Sequence, residues 1–493
     1  MSTFDDHVAS RRPRFRARGI WLRTLLGCVL VVIATAATVT TGVLLEVKSF
    51  TDALKLSPQL KLGDELASAN AGGAQTILLI GSDKRAAGAV DSSSPARSDT
   101  MLLVRLDPNQ PDTTMLSIPR DLKVTIYPFH GTPMTQKINA AYSIGGVKLT
   151  VKTIKQVLGI QINHVVDINF EGFKALVNYL GCVYVQVDRR YLNLNAGLPA
   201  GQTYAEIDLE PGYQKLCGQQ ALDYVRYRHT DTDLVRNARQ QDFLRQIKNQ
   251  LGASGLISKR FGLEKIFGRY ASTDLRSSDS VLQLLELLVQ SADHPIHQVI
   301  FQAQLGPSYV TASSAQIRET VYQFLNGGVA DGHIQLPGGQ KHKHAISQVP
   351  LSAATPSELA QADALAMNMP FATYFPVRRA TTAAAPDDDM RSYFLPDRQH
   401  REHYAYVDVV GEGEIGQYYD LEGTDWTDPP ILENPNQTIQ LGGRAFELYF
   451  EGQRIRIVAW RRGPAVYWLV NTLQNLLTNH QMLAIAQDAQ IVR

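Results

Sequence analysis

Hydrophobic positions along the chain fall into distinct textures. Thr24 to Leu45 runs without one charged residue, enough for a helix of about twenty residues to cross a hydrocarbon core of roughly 30 Å. From Thr76 the apolar runs become short and end at Gly, Asp or Pro: TILLIGSD, TMLLVRLD and TTMLSIPRDL read as strands buried on both faces. NAAYSIGGVKLTVKTIKQVL, from Asn139 to Leu158, reads as helical segments interrupted at Gly145 and Gly146. HVVDINF and CVYVQV read as further strands, with the helix-like GFKALVNYLG between them. Strands alternating with helices predict a three-layer α/β arrangement. Gly218 to Leu251 reads as two helical pieces joined around His229 to Asp233. In the second piece Arg236, Arg239, Gln240 and Phe243 fall at i, i+3, i+4 and i+7, on one helical face.

The same patterning divides the chain. Residues 1–23 form a basic tail, 24–45 a transmembrane helix, 46–73 a stalk and 74–332 the α/β domain. Residues 333–403 hold few long apolar runs, several Pro and Ala residues and the acidic triplet Asp387 to Asp389, and read as a linker or irregular extension. Residues 404–493 read as a smaller α+β unit. There AFELYF and RIRIVAW flank Glu451 to Gln453 as a hairpin, AVYWLV adds a strand, and Asn471 is placed to cap a last helix.

Charge sharpens the topology. The net charge of +1 lacks the strong positive field of a dedicated nucleic-acid binder. The first two dozen residues nevertheless hold Arg11, Arg12, Arg14, Arg16, Arg18 and Arg23. Arginines before the apolar run place the N-terminus in the cytoplasm and the bulk of the chain outside. A cleaved signal peptide is the competing reading, but Leu44, Leu45 and Glu46 do not form the small-residue site that cleavage favours. Cys28 falls within the span, leaving Cys182 and Cys217 as the outer pair. Such a pair can bridge in an oxidising envelope or remain two small buried residues.

Candidate chemistry gathers where apolar runs end, the edge at which open α/β sheets bind ligands. Asp83 follows the first strand, Arg97 and Asp99 precede the second, Arg120 and Asp121 follow the third, and Lys137 starts the next segment. Arg226 and Arg228 alternate with tyrosines and would point the same way on an extended segment. Each residue alone suits a solvated ion pair. Together, arginine forks supply bidentate donors to phosphate, and two nearby carboxylates suit a hard divalent cation. That mixture fits a pyrophosphate ester. There is no GxxxxGK[ST] run to favour a nucleoside triphosphate, and no serine in a GxSxG turn.

GSDKR at 81–85, ARSDT at 96–100, SIPRD at 117–121, KINAAY at 137–142 and VRYRHTDTDLVRNARQQ at 225–241 resemble the successive motifs of the LytR-CpsA-Psr family. Each motif is short, but the order, the spacing and the preceding span all agree. The resemblance covers roughly residues 74 to 330. It implies that the domain is an α/β/α sandwich and the chain a metal-dependent phosphotransferase that moves a phosphorylated glycopolymer from a polyprenyl-pyrophosphate carrier to peptidoglycan. It further implies that Asp83 and Asp99 hold Mg²⁺ (or Mn²⁺). Arg97, Arg120, Arg226, Arg228, Arg239 and Gln240 are implied to contact the phosphates, with Lys137 and Arg236 as outlying members. Arg120 and Arg228 are then the central catalytic groups, and Asp233 or Asp121 orients them or takes the acceptor's proton. The helices around Val147 to Leu158 and Ala175 to Leu180 are candidate walls of a lipid tunnel, or ordinary core. The 404–493 unit is absent from minimal members, and its Tyr418, Tyr419, Trp426, Trp460, Tyr467 and Trp468 suit either a core or sugar stacking. A noncatalytic envelope scaffold that binds lipid-linked precursors is the alternative to the enzyme.

Overall fold

The computed structural model describes residues 48, 51–52, 59–68, 70, 72–83, 98–197, 205–227, 231–291, 294–327, 334, 351–380, 389–411 and 416–492. The basic tail and the apolar run expected to span the membrane lie outside the described residues. Among the described residues no helix is long and apolar enough to cross a membrane.

The first half is built on a mixed six-stranded sheet. Its order is Ala271–Thr273, His164–Asn169, Gln75–Ser82, Ser98–Leu106, Thr113–Ser117 and Ile296–Val299. Gln75–Ser82 runs parallel to His164–Asn169 and antiparallel to Ser98–Leu106. Ser98–Leu106 is antiparallel to Thr113–Ser117, which is parallel to Ile296–Val299. The carboxyl ends of the four parallel strands therefore share one edge, at Ser82, Ser117, Asn169 and Val299. Leu78, Ile80, Met101, Leu103 and Leu116 pack with Leu149, Ile154, Leu158 and Phe324 of two helices, Ala140–Leu158 and Ser314–Asn326. Ile77 and Leu106 pack instead with Val281, Leu284 and Leu287 of the helix Ser278–Gln290. Side chains alternate along a strand, so neighbours such as Ile77 and Leu78 serve different clusters. Burial of both explains the unbroken apolar runs.

The expected interruption of Ala140–Leu158 is present. Gly145 and Gly146 leave helical geometry, and Gly146 has φ 61°, a region costly for residues with a Cβ. Val183–Val187, expected as a strand, pairs with Gly212–Leu216 outside the main sheet. Beside this ribbon Cys182 and Cys217 form a disulfide that ties the end of the helix Phe170–Leu180 to the start of Gly218–Arg226.

The C-terminal half is a seven-stranded antiparallel sheet in the order Asp389–Pro396, Glu402–Gly411, Tyr418–Thr424, Ala465–Val470, Arg454–Arg462, Arg444–Glu451 and Gln437–Leu441. The expected hairpin is present, with Glu451 opposite Arg454. Two expectations are corrected. Asp389–Pro396, read as linker, is the sheet's edge strand, and the helix Pro356–Ala366 caps the same core through Leu365. The last helix, Asn479–Asp488, is capped by Thr478. Asn471 instead donates to the carbonyls of Ile455 and Leu477. Trp460, Tyr467 and Tyr419 are buried against the C-terminal helices. Trp468 and Trp426 face the first half, packed with Tyr213 and Tyr184. These rings form core, and both faces of AVYWLV are covered.

Candidate functional site

The chain turns sharply as it leaves the carboxyl edge of the first sheet, and these turns carry the charged residues. Asp83 ends the first strand. Asp99 sits in the bulge of the neighbouring strand, between Ser98, which pairs with Ser82, and Thr100, which pairs with Gly81. Arg120 and Asp121 follow Thr113–Ser117 through Ile118 and Pro119. Lys137 ends the hairpin strand Met134–Lys137, opposite Lys123.

Arg120 is the hub. Its Nη1 donates to Asp99 Oδ1 at 2.7 Å, while Nε lies 3.8 Å from both Asp121 and Asp233. Lys137 Nζ is 3.0 Å from Asp121. Arg226 Nη2 reaches to 3.8 Å from the second oxygen of Asp99 and its guanidinium lies 4.2 Å from the centre of the Phe170 ring. Arg236 Nη2 binds Asp233 at 2.7 Å. Asp233 opens the helix Asp233–Tyr270, whose Thr232 cap accepts from the Val235 amide, so an acid at the positive helix end is electrostatically favoured. Among the described residues, Arg120, Lys137, Arg226 and Arg236 thus share Asp99, Asp121 and Asp233.

The remaining predicted residues divide by depth. Lys137, Arg226, Asp121, Asp99 and Arg120 retain solvent access, whereas Arg236 and Gln240 are nearly enclosed and Arg239 is wholly so. Arg239 donates from Nε to the Tyr191 hydroxyl at 3.2 Å and from Nη1 to the Tyr227 carbonyl at 2.9 Å, and it forms an ion pair with Asp231. Gln240 donates to the Val225 carbonyl at 3.0 Å. The expected phosphate contact of Arg239 is not what this arrangement supplies, because its donors already hold the loop ahead of the helix. One further expectation changes: Arg226 closes the helix Gly218–Arg226 rather than alternating along an extended segment. Arg97 and Arg228 lie outside the described residues.

The profile of the LytR_cpsA_psr family matches residues 41–326. The chain belongs to the LytR-CpsA-Psr family. Over 208 residues it is 34% identical to the Bacillus subtilis (strain 168) polyisoprenyl-teichoic acid–peptidoglycan teichoic acid transferase TagT, covering 42% of this chain and 62% of that protein. Over 217 residues it is 30% identical to Biofilm regulatory protein A of Streptococcus mutans, covering 43% and 52%. The chain therefore spans roughly half to three fifths of these relatives. Among solved structures, TagT bound to LIIa-WTA is 27% identical with a TM-score of 0.42, covering 55% of this chain and 98% of that one. The site falls inside the LytR-CpsA-Psr match, while the seven-stranded sheet lies wholly beyond it.

Several residues that shape this family site were not singled out from the sequence. Asp231 is fully enclosed and holds both Arg239 and Arg189. Tyr191 donates to buried Asp188, whose carboxyl is pushed up by burial. Tyr142 donates to Asp167 at 2.8 Å, and burial raises its hydroxyl pKa, helped by the nearby Asp167 and Asp83 carboxylates. The only sequence signals were the doublet Asp231 and Asp233 around one threonine and a tyrosine ending KINAAY.

Proposed function

We propose that the chain is a phosphotransferase that moves a phosphorylated glycopolymer from a polyprenyl-pyrophosphate carrier onto peptidoglycan. The observation that carries this reading is the convergence of Arg120, Asp99, Asp121, Asp233, Arg226 and Lys137 at one sheet edge. The named activity of the relatives supports it. The acceptor hydroxyl attacks the phosphorus bound to the sugar. A new P–O bond forms, the bridging P–O bond breaks, and polyprenyl phosphate leaves. Arg120 and Arg226 would spread charge over the nonbridging oxygens, joined by Arg97 and Arg228 from the neighbouring segments. Asp233, held by Arg236 and facing Arg120, would fix that guanidinium, whereas the more accessible Asp121 is the better placed to accept the hydroxyl proton.

Asp83 and Asp99 would hold Mg²⁺ or Mn²⁺. Their hard oxygens at adjacent strand ends suit such a cation. When bound, it would neutralise the leaving phosphate. In this reading the layers form an α/β/α sandwich, and the run 24–45 anchors the chain in the cell membrane with its bulk outside. The test is transfer by the purified full chain from a polyprenyl-pyrophosphate glycan, followed as release of polyprenyl phosphate. Activity should require a divalent cation and fail in Arg120→Ala; turnover in EDTA or undiminished turnover in that variant would refute the reading.

A further inference from the structure

Beside the site a lysine-rich segment pairs Lys137 with Asp121 and Lys155 with Glu65, but gives Lys148 and Lys152 no carboxylate among the described ion pairs. From Lys123 to Val166 the chain has no Asp or Glu, yet it contains Lys123, Lys137, Lys148, Lys152 and Lys155. The strands Lys123–Ile126 and Met134–Lys137 project a tip in which Tyr127 is 45% and Phe129 43% exposed. Two lysines from the helix Ala140–Leu158 rise beside it. Lys148 and Lys152 place Nζ 5.1 and 5.0 Å from the centre of the Phe129 ring, and Lys152 also donates to the Tyr127 carbonyl at 3.3 Å. On the same helix, Ile144 is 43% exposed just ahead of the kink.

Two observations say what this tip meets. Exposed aromatic rings ringed by ammonium groups, with no acid along the segment, match an apolar boundary bearing negative charge. From its pairing with Thr273 at Gln59 the chain also crosses to the same helix. A Cβ at Gly63 would lie 3.9 Å from Lys148 Nζ, and the Glu65 carbonyl accepts from Lys155. The 3-10 turn Gly63–Glu65 at the start of the domain thus lies against the helix that carries Lys148 and Lys152. At the other end of the hairpin, Lys137 joins the Arg120 cluster, so a surface touching the tip would also lie near the pyrophosphate site.

We propose that the Tyr127–Phe129 tip, with Lys148 and Lys152, docks on an anionic phospholipid surface. The rings enter the headgroup boundary and the two ammonium groups pair with lipid phosphates. This contact is separate from any spanning anchor, and it fixes the orientation of the site against the bilayer. It does not depend on the phosphotransfer reading.

The test uses the full chain reconstituted into phosphatidylcholine vesicles with or without phosphatidylglycerol. Emission of Phe129→Trp minus that of the wild type, which has four tryptophans, isolates the tip. The expected result is blue-shifted emission quenched by brominated lipid when phosphatidylglycerol is present. With Lys148→Gln and Lys152→Gln added, the docking constant should fall about thirty-fold, at roughly five-fold per lysine. The tip emission of that variant in detergent should stay unchanged, which separates docking from local unfolding. Solvent-like, unquenched emission in both vesicles, or quenching indifferent to the lysines, would overturn the proposal. Emission that responds to soluble polyphosphate but not to brominated lipid would assign the surface to a soluble polyanion and equally overturn it.

Discussion

Arg120 is surrounded by three carboxylates, and this restricts what any substitution there can do. In the proposed reaction, removing its fork from the phosphate oxygens should lower turnover about 10²–10³-fold while leaving substrate affinity less changed. Arg120→Lys keeps a charge but loses the planar pair of donors, so it should recover only part of the rate. Steady-state kinetics on both variants would check this. Asp231 acts differently. Enclosed between Arg189 and Arg239, it has no access to substrate, and Asp231→Ala would leave buried guanidinium charge uncompensated. A loss of about 3–5 kcal/mol is expected, read as a lowered midpoint of denaturant unfolding. Motif spacing pointed to Arg120, Asp99 and Asp121 because each ends or begins an apolar run. It could not separate Arg226 at the rim from Arg239 behind it, since helix periodicity assigns a face but not what that face packs against.

Among the elements, the helix Asp233–Tyr270 and the disulfide have complementary tasks. The helix delivers Asp233 and Arg236 to the site from its first turn, and Arg239 from its second turn holds the preceding loop. The disulfide ties the two helices flanking the ribbon of Val183–Val187 and Gly212–Leu216, enclosing a sequence separation of 35. A loop of that length contributes about 3–4 kcal/mol in the chain-entropy account. Cys182→Ser with Cys217→Ser should lower the thermal midpoint by several degrees, measured by calorimetry, without abolishing the proposed transfer. The pair was legible from its count and location. The strand Asp389–Pro396 was not, because its exposed Ser392 and Phe394 and mixed polarity resemble a loop until Glu402–Gly411 supplies its backbone partners.

On the scale of the whole molecule, the two halves share polar contacts as well as aromatic ones. Gln186 donates to Glu422 at 2.6 Å, the Tyr213 amide donates to the Tyr393 hydroxyl at 2.9 Å, and Arg245, paired with Asp242 in its own helix, also reaches Glu451. Burial pushes the Glu422 carboxyl up to about 8, and burial also raises neighbouring Asp420. A carboxyl with a raised folded pKa binds more protons in the native state than in the unfolded one. Its contribution is full below the unfolded value and declines as pH rises toward 8. The thermal midpoint should therefore fall between about pH 5 and 8, with Glu422→Gln flattening that decline. The sequence showed that a second unit exists, but a run such as AVYWLV does not reveal which of its two apolar faces meets another domain.

That shared face also bears on how the molecule is made. Tyr184 and Tyr213 belong to the half synthesised first, yet Trp426 and Trp468 emerge only after the family domain is complete. At about 5–20 residues per second, the nascent family domain waits roughly ten seconds or more with aromatic surface uncovered. Its safe maturation depends on the interval before residue 470 is made, and slowing elongation beyond residue 326 would lengthen its exposure to aggregation.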